Sequence, residues 1–264
     1  MKPAPFDYVR PESLDEALTV LAEGGDDAKV LAGGQSLVPA LNMRLLRPAL
    51  LVDVNRVVGL DDVATESGAL RVGATVRQAD PRLHTHPVLA AVLPHVGHTV
   101  TRNRGTVCGS IAHADAAAEL PLALVATGGS ALAASTRGRR VIPADELFLG
   151  PYATALAPDE LLVKTVWPML GEGEGFAFDE LAQRGGDYAL CMAAARVRGD
   201  EIRVAVGSIT PTPTVLEVDP ERPGESAAEQ VEPWGSIHAS PDYLRHLVHV
   251  LVDRVVAEAR ERAA

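Results

Sequence analysis

Apolar residues in the first part of the chain occur at two different spacings. Between positions 14 and 21 they recur every three or four residues, which predicts an amphipathic helix capped by Ser13. Mostly apolar runs follow at 29–32 and 50–54, each with a single charged residue, and runs of this length are typical of buried strands. These elements predict a small α/β lobe that ends near position 55.

The next part of the chain alternates the same two patterns. Alternating apolar positions over 68–76 predict a strand, and Thr75 is the expected N-cap of a short helix over 76–79. The other elements predicted before position 170 are a helix over 88–96, a helix over 116–126, a hairpin over 130–142 and a strand over 161–167.

The clearest break in composition is Gly171–Gly175, where glycine alternates with glutamate. Its three glycines do not have the spacing of a nucleotide loop, which places the third glycine in a following helix, and its glutamates repel phosphate. We therefore interpret it as a linker or hairpin turn. Beyond it, we expect a polar, Pro-rich loop at 218–231 and a final helix that starts at Ser240 and Pro241. Strands of a small antiparallel sheet are predicted at 176–182, 193–197 and 202–206.

Composition narrows the class of protein. The chain has 264 residues, of which 47% are hydrophobic, so a globular fold with an ample core is expected. A formal net charge of −11 argues against nucleic acid as the main partner. No apolar run approaches the roughly 18 residues of a membrane span, and no secretory signal is visible. Two cysteines, Cys108 and Cys191, make no disulfide framework, which favours a cytoplasmic protein.

The stretch Leu31–Leu37, Leu-Ala-Gly-Gly-Gln-Ser-Leu, places two glycines directly after an apolar run. Adjacent glycines permit positive φ and carry no Cβ, so backbone N–H groups can approach a ligand closely. Successive N–H groups in such a turn attract anions, phosphate above all, and Gln35 and Ser36 add side-chain donors. An ordinary Gly-rich turn is the alternative interpretation.

A second stretch, Thr106–Ala112, again places glycine beside a small hydroxyl residue. Two such motifs in one chain favour a dinucleotide held between two loops. Arg102 and Arg104 flank the second motif and offset the acidic background for an anionic ligand. The alternative interpretation of these arginines is a pair of solvated or structural charges.

These motifs also carry a family resemblance. Ala32–Leu37 resembles the first FAD loop, and Thr101–Asp115 resembles the second FAD loop, of the flavoprotein subunits of molybdenum hydroxylases. These are the medium subunits of the carbon monoxide dehydrogenase and xanthine dehydrogenase family. Gly185–Ala189 and Ser240–Arg245 extend the resemblance to nearly the whole chain.

The resemblance implies an α+β fold and FAD as the cofactor. It implies a PCMH-type FAD-binding domain at 1–170, made of two α/β lobes at about 1–55 and 56–170. A C-terminal domain of antiparallel sheet plus helices, like that of carbon monoxide dehydrogenase flavoproteins, is then expected at 171–264.

The resemblance also implies a role for individual residues. The two loops are expected to contact the diphosphate and the flavin. Glu119, with Asp115 as second choice, is expected to bind ribityl or ribose hydroxyls, although Asp115 is also a plausible helix cap. Leu161 aligns with a backbone contact to the flavin ring. The cofactor-binding residues so predicted are Ala32, Gly33, Gly34, Gln35, Ser36, Leu37, Thr106, Val107, Cys108, Gly109, Ser110, Asp115, Glu119 and Leu161.

One departure from the family pattern concerns a lysine. Many relatives place a lysine near the start of the strand after the linker, but here Phe178 is followed by Asp179 and Glu180. This puts in doubt any cationic stabilisation of reduced flavin by that route. Tyr188 lies in a matching segment and either stacks near the flavin ring or is a core tyrosine.

Other candidate chemistry is weaker. His95 and His98 are three residues apart, but no cysteine or carboxylate completes a recognisable ligand spacing, so no metal site is predicted. Cys108 is interpreted as a small buried residue, with a reactive thiol as the alternative. The sequence contains no Cys-x-x-Cys cluster for an iron–sulfur centre.

The function implied by the resemblance is electron transfer within a complex. A molybdopterin-binding large subunit and a small subunit with 2Fe–2S clusters are the expected partners. The flavin would pass their electrons to NAD, a quinone or oxygen, and no residue of this chain is required as a catalytic acid or base. The alternatives are a standalone FAD-dependent dehydrogenase or oxidase acting on a small molecule, and an assembly module that has lost FAD.

Overall fold

The first lobe is an α/β unit built on a small parallel sheet. A computed structural model describes residues 2–264. The elements of the lobe are β1 (Asp7–Val9), α1 (Leu14–Gly24), β2 (Ala28–Leu31), α2 (Leu37–Asn42) and β3 (Leu50–Asp53). The strands are parallel in the order β1-β3-β2, which places the ends of β2 and β3 side by side. The Ser13 side chain accepts the N–H of Glu16 and caps α1, as its sequence predicts.

The second lobe is built on a five-stranded antiparallel sheet. Its elements are β4 (Val63–Glu66), β5 (Ala69–Gly73), α3 (Pro87–Val92), α4 (Thr99–Arg102), α5 (Val107–His113), α6 (Glu119–Ala126), β6 (Ser130–Ser135), β7 (Gly138–Pro143), α7 (Ala144–Leu147), β8 (Phe148–Gly150), β9 (Ala153–Thr154) and β10 (Leu161–Pro168). The strand order is β4-β5-β10-β6-β7, and β8 and β9 form a separate two-stranded sheet. Every residue of α6 is buried, so this helix runs through the interior.

The C-terminal part is an antiparallel sheet covered by a long helix. Its elements are β11 (Glu174–Ala182), β12 (Ala189–Arg198), β13 (Glu201–Gly207), β14 (Thr214–Leu216), α8 (Pro223–Glu229) and α9 (Pro241–Ala263). Alternate residues of β12 face opposite sides, because strand side chains have a period of two. Ala193 and Ala195 pack in the cluster that contains α9, whereas Met192 and Ala194 pack in the cluster of the second lobe. The sheet is therefore buried on both faces.

The predicted α+β fold is confirmed, and the predicted domain boundary at 170 stays a prediction. Two local predictions are wrong. Residues 76–79 form no helix, because Arg77 pairs with Thr106 in an antiparallel bridge that takes up the local backbone hydrogen bonds. The predicted loop at 218–231 contains α8, whose Gly224 N–H donates to Asp253 of α9 at 2.7 Å.

Helix length and hydropathy bear on membrane insertion. Among residues 2–264, no helix is both long enough and apolar enough to cross a membrane.

Candidate functional site

The first glycine-rich loop runs from β2 into α2 with its backbone donors unpaired. Five consecutive N–H groups, from Gly33 to Leu37, donate to no acceptor within residues 2–264. The turn depends on Gly34, whose φ of 73° lies in the left-handed region. A row of unpaired N–H groups in such a turn is an arrangement that binds phosphate oxygens.

The second glycine-rich loop lies directly against the first. A Cβ atom on Gly33 would lie 2.5 Å from the carbonyl oxygen of Arg104 and 3.1 Å from the amide nitrogen of Thr106. Only glycine permits so close an approach between the two backbones. The Thr106 side chain caps α5 by accepting the N–H of Gly109 at 3.0 Å. The structure therefore brings together the two loops that the sequence singles out.

A cleft of about 360 Å³ opens beside this contact. Its free N–H groups and the Arg104 guanidinium are donors for a diphosphate, and the missing side chain of Gly33 keeps the backbone accessible, so the residues present fit the diphosphate of FAD. Asp53 and Asn55 also line the cleft, and sequence reasoning missed them. Their place in the sequence, at the end of strand β3, could have identified them, because ligands commonly bind where parallel strands such as β2 and β3 end. The lining residues are Leu31, Ala32, Gly33, Gly34, Gln35, Val38, Pro39, Asp53, Asn55 and Arg104.

Glu119 is a buried carboxylate at the start of α6. It is 5% exposed, and no other residue of the described chain donates a hydrogen bond to it. Burial raises its pKa to about 7, and the negative charges of Glu180 and Asp115 act in the same direction. A buried carboxylate without a neighbouring donor is suited to accept a hydrogen bond from a ligand hydroxyl.

Asp115, in contrast, is occupied by protein donors. Its Oδ1 accepts the N–H of Ala117 at 3.0 Å, and its Oδ2 accepts the hydroxyl of Tyr152 at 3.3 Å. This geometry is a local turn, so the interpretation of Asp115 as a helix N-cap is wrong. Helix α6 begins at Glu119 instead of at 116, and its N-cap residue is Ala118, which makes no side-chain capping hydrogen bond.

Three predicted cofactor-binding residues turn their side chains into the core. Val107, Cys108 and Leu161 are each no more than 3% exposed. The Cys108 thiol donates to the carbonyl oxygen of Val72 at 3.4 Å, and burial raises its pKa to about 12. Only backbone atoms of these residues are available to a cofactor, and Cys108 is a small core residue.

The two acidic residues at the place of the family lysine each contact a basic side chain from another part of the chain. Asp179 forms an ion pair with Arg254 of α9. Glu180 lies in β11, and its Oε1 is 3.3 Å from Nδ1 of His95 in the turn after α3. The strand itself has no lysine here, but the titratable imidazole of His95 lies beside it.

Tyr188 is 59% exposed, so its interpretation as a core tyrosine is wrong. Tyr188 and Tyr152 are both exposed, and both lie near the buried Asp115. Within the part of the chain that the structure describes, no group of three or more His, Cys, Asp or Glu side chains is placed to hold a metal ion.

Comparison with known proteins shows which family this chain resembles in sequence. The family described as the FAD binding domain in molybdopterin dehydrogenase matches residues 4–170. The 6-hydroxypseudooxynicotine dehydrogenase complex subunit alpha of Paenarthrobacter nicotinovorans is 40% identical over 100% of this chain and 97% of its own length. The carbon monoxide dehydrogenase medium chain of Hydrogenophaga pseudoflava is 31% identical over the whole of both chains.

Two solved structures agree with this comparison. A carbon monoxide dehydrogenase structure from Hydrogenophaga pseudoflava has a TM-score of 0.94 at 30% identity and covers 100% of both chains. A quinoline 2-oxidoreductase structure from Pseudomonas putida 86 has a TM-score of 0.92 at 37% identity, covering 100% of this chain and 99% of its own. The chain therefore belongs to the family of FAD-binding subunits of molybdopterin dehydrogenases, the medium subunits of molybdenum hydroxylases, and is an FAD-dependent oxidoreductase flavoprotein.

Proposed function

We propose that this chain holds FAD between its two glycine-rich loops and passes electrons from the iron–sulfur clusters of a partner subunit to an external acceptor. The observation that carries the proposal is the row of unpaired N–H groups from Gly33 to Leu37, whose first three residues line the cleft together with Arg104. Bound FAD supplies the capacity to accept electrons singly and to release them as a pair.

The residues of the chain have separate roles in this proposal. The N–H groups of Gly33 to Leu37, together with the second loop at Thr106–Ser110, donate hydrogen bonds to the diphosphate. The Glu119 carboxylate accepts hydrogen bonds from ribityl or ribose hydroxyls, because no other residue of the described chain donates to it. The backbone of Leu161 would contact the flavin ring. Asp115 has a supporting role, since its oxygens are already paired.

The partners in this proposal are a molybdopterin-binding large subunit and a small subunit with 2Fe–2S clusters. The relatives that support them are named as a complex subunit, a medium subunit and medium chains. The acceptor is a small molecule of the NAD or quinone class, or oxygen. In this arrangement substrate oxidation takes place on the large subunit, and this chain provides only the electron exit.

The placement of FAD is tested by absorption spectra and by one substitution. The purified chain, or the chain after addition of FAD, should show flavin bands near ~370 and ~450 nm. Gly33→Ala should raise the FAD dissociation constant at least about tenfold, because its Cβ would meet the Arg104 carbonyl oxygen at 2.5 Å. Gly150→Ala is the matched control, since a Cβ there meets nothing within 4 Å. Equal FAD affinity in wild type and Gly33→Ala contradicts this placement.

The partner proposal needs a separate measurement. The tagged chain, purified from its native host, should carry along two further chains together with iron, acid-labile sulfide and molybdenum. Addition of the oxidisable substrate of that complex should then bleach the ~450 nm band. A yellow chain that purifies alone and is itself reduced by a small molecule would instead support a standalone dehydrogenase or oxidase.

A further inference from the structure

The two glycine-rich loops belong to different lobes, so their separation must be set by contacts between lobes. The close approach of Gly33 to Arg104 is a backbone contact without a hydrogen bond. Two side chains that line or flank the cleft, Asn55 and Arg77, provide the hydrogen bonds instead.

Asn55 holds the first loop from the end of β3. Its Nδ2 donates to the carbonyl oxygen of Ala32 at 2.8 Å. The residue is itself fixed by Asp53, whose Oδ1 accepts the Asn55 backbone N–H at 3.0 Å and its Nδ2 at 2.5 Å. The Tyr8 hydroxyl donates to the other Asp53 oxygen. The amide therefore presents its Oδ1 away from the loop that it holds.

Arg77 continues the chain of hydrogen bonds to the second loop. One guanidinium nitrogen donates to Asn55 Oδ1 at 2.6 Å, and the other donates to the carbonyl oxygen of Arg104 at 2.5 Å. A planar guanidinium makes two such bonds in fixed directions, which a lysine ammonium on a flexible stem does not reproduce. The bridge between Arg77 and Thr106 fixes the Arg77 backbone beside the second loop.

Charge around the cleft favours an anion. Arg77 is half-buried beside Arg104, and its pKa is lowered first by burial and then by the positive charge of Arg104. Asp53 opposes this effect only in part. Two neighbouring guanidinium groups with one carboxylate leave an excess of positive charge, which a diphosphate would neutralise.

We propose that Asn55 and Arg77 form a loop clamp, a pair of positioning residues that hold the two glycine-rich loops at the separation that binds the diphosphate of FAD. The proposal rests on the placement of FAD proposed above. It differs from a general structural role, because the clamp joins the two loops through hydrogen bonds and adds no buried apolar area to either core.

The test compares FAD affinity with the stability of the FAD-free chain. The variants are Arg77→Gln, Arg77→Lys, Asn55→Ala and the double variant Asn55→Ala with Arg77→Gln. Arg139→Gln is the control, because Arg139 is exposed on β7 and outside the cleft. Affinity is measured by quenching of flavin fluorescence, and stability by the thermal midpoint without FAD.

The clamp predicts a particular pattern of results. Arg77→Gln and Asn55→Ala should each raise the FAD dissociation constant about tenfold, with a thermal midpoint like that of Arg139→Gln. Arg77→Lys should not restore affinity. The double variant should lose less than the product of the single losses, because both act through one chain of hydrogen bonds.

Two results would overturn the clamp. One is FAD affinity within twofold of the control in both single variants, and the other is a fall in affinity matched by a fall in the thermal midpoint of the FAD-free chain. Gly33→Ala separates this failure from failure of the FAD placement. If Gly33→Ala loses FAD but the clamp variants retain it, the clamp alone is wrong; if all of them retain it, the placement is wrong.

Discussion

The Nδ1 atom of His95 lies 3.3 Å from Oε1 of Glu180, and this contact joins the turn after α3 to strand β11. The second carboxylate oxygen of Glu180 is buried and has no partner within the described chain. Glu180 thus depends on His95 for its neutralising charge. The hydrogen bond with Glu180 raises the pKa of His95, and burial only partly opposes it.

The His95 contact predicts a pH-dependent stability. Because the folded-state pKa of His95 is raised above 6.5, the pair stabilises the folded chain fully below pH 6.5 and is lost as pH rises through the folded pKa. His95→Gln should therefore lose most stability at pH 6 and least at pH 9. Thermal midpoints of the FAD-free chain across this range measure the effect. A constant difference between wild type and variant at all pH values would contradict it.

The negative charge of Glu119 should lower the stability of the FAD-free chain and strengthen FAD binding. Its pKa is raised from 4.5 to about 7, so the folded chain loses stability as pH rises from 4.5 through about 7. At about 1.4 kcal/mol per unit of pKa, the loss is of the order of 3 kcal/mol. Glu119→Gln should stabilise the FAD-free chain above pH 7.

The same substitution should weaken FAD binding several-fold, because an amide is a weaker acceptor for hydroxyl groups than a carboxylate. Urea unfolding at pH 5 and pH 8, together with FAD titration, measures both effects. Glu146→Gln, at an exposed position of α7, is the control. A Glu119→Gln variant less stable than wild type at pH 8 would contradict this prediction, because it would mean that other groups of the protein stabilise the charge of Glu119.

Local signals in the sequence predicted much of the fold. The cap at Ser13 and the start of the last helix at Ser240 are set by nearby residues, and the structure confirms them. The two glycine-rich loops were also visible, because glycine next to a strand end has a local meaning. The structure shows that the two loops are in contact, and the ligand held between them stays a prediction.

Long-range partners were not visible in the same way. The segment 76–79 has a plausible cap in Thr75, but tertiary pairing of Arg77 with Thr106 outweighs that weak preference for a helix. The hydrogen bond between Asn55 and Arg77 joins residues 22 positions apart, and no local sequence pattern predicts it. The partner of Glu180 is likewise a histidine in a different element.

Cys108 should be inert although it lies within a ligand-binding loop. Its thiol is 2% exposed and its pKa is raised to about 12 by burial, so almost no thiolate exists at neutral pH. Burial raises the pKa of Cys191 to about 12 in the same way. The native chain should react with a thiol reagent only on the timescale of unfolding, whereas the denatured chain should react rapidly with two equivalents of the reagent. Rapid modification of Cys108 in the native chain would support a reactive thiol.

Arg196 should stabilise the junction between the second lobe and the C-terminal sheet. Its guanidinium donates to both oxygens of Glu174 at 2.8 Å and to the carbonyl oxygen of Thr127, just beyond α6, at 3.1 Å. The Glu174 side chain is only 5% exposed, so Arg196→Ala leaves a buried carboxylate and a carbonyl without this donor. A loss of about 1–3 kcal/mol in the free energy of unfolding is expected.

Arg198 provides the matched control for that measurement. It lies 3.8 Å from the same carboxylate, but its side chain is 66% exposed, so Arg198→Ala should cost less than about 0.5 kcal/mol. Although burial alone would raise it, the pKa of Glu174 is lowered by the Gly171 N–H and by Arg196, so this stabilisation should fade as pH falls below 4.5. Urea unfolding of both variants at pH 7 and pH 4 measures the two effects. Equal losses at pH 7 would mean that long-range charge, and not the buried hydrogen bonds of Arg196, holds the junction together.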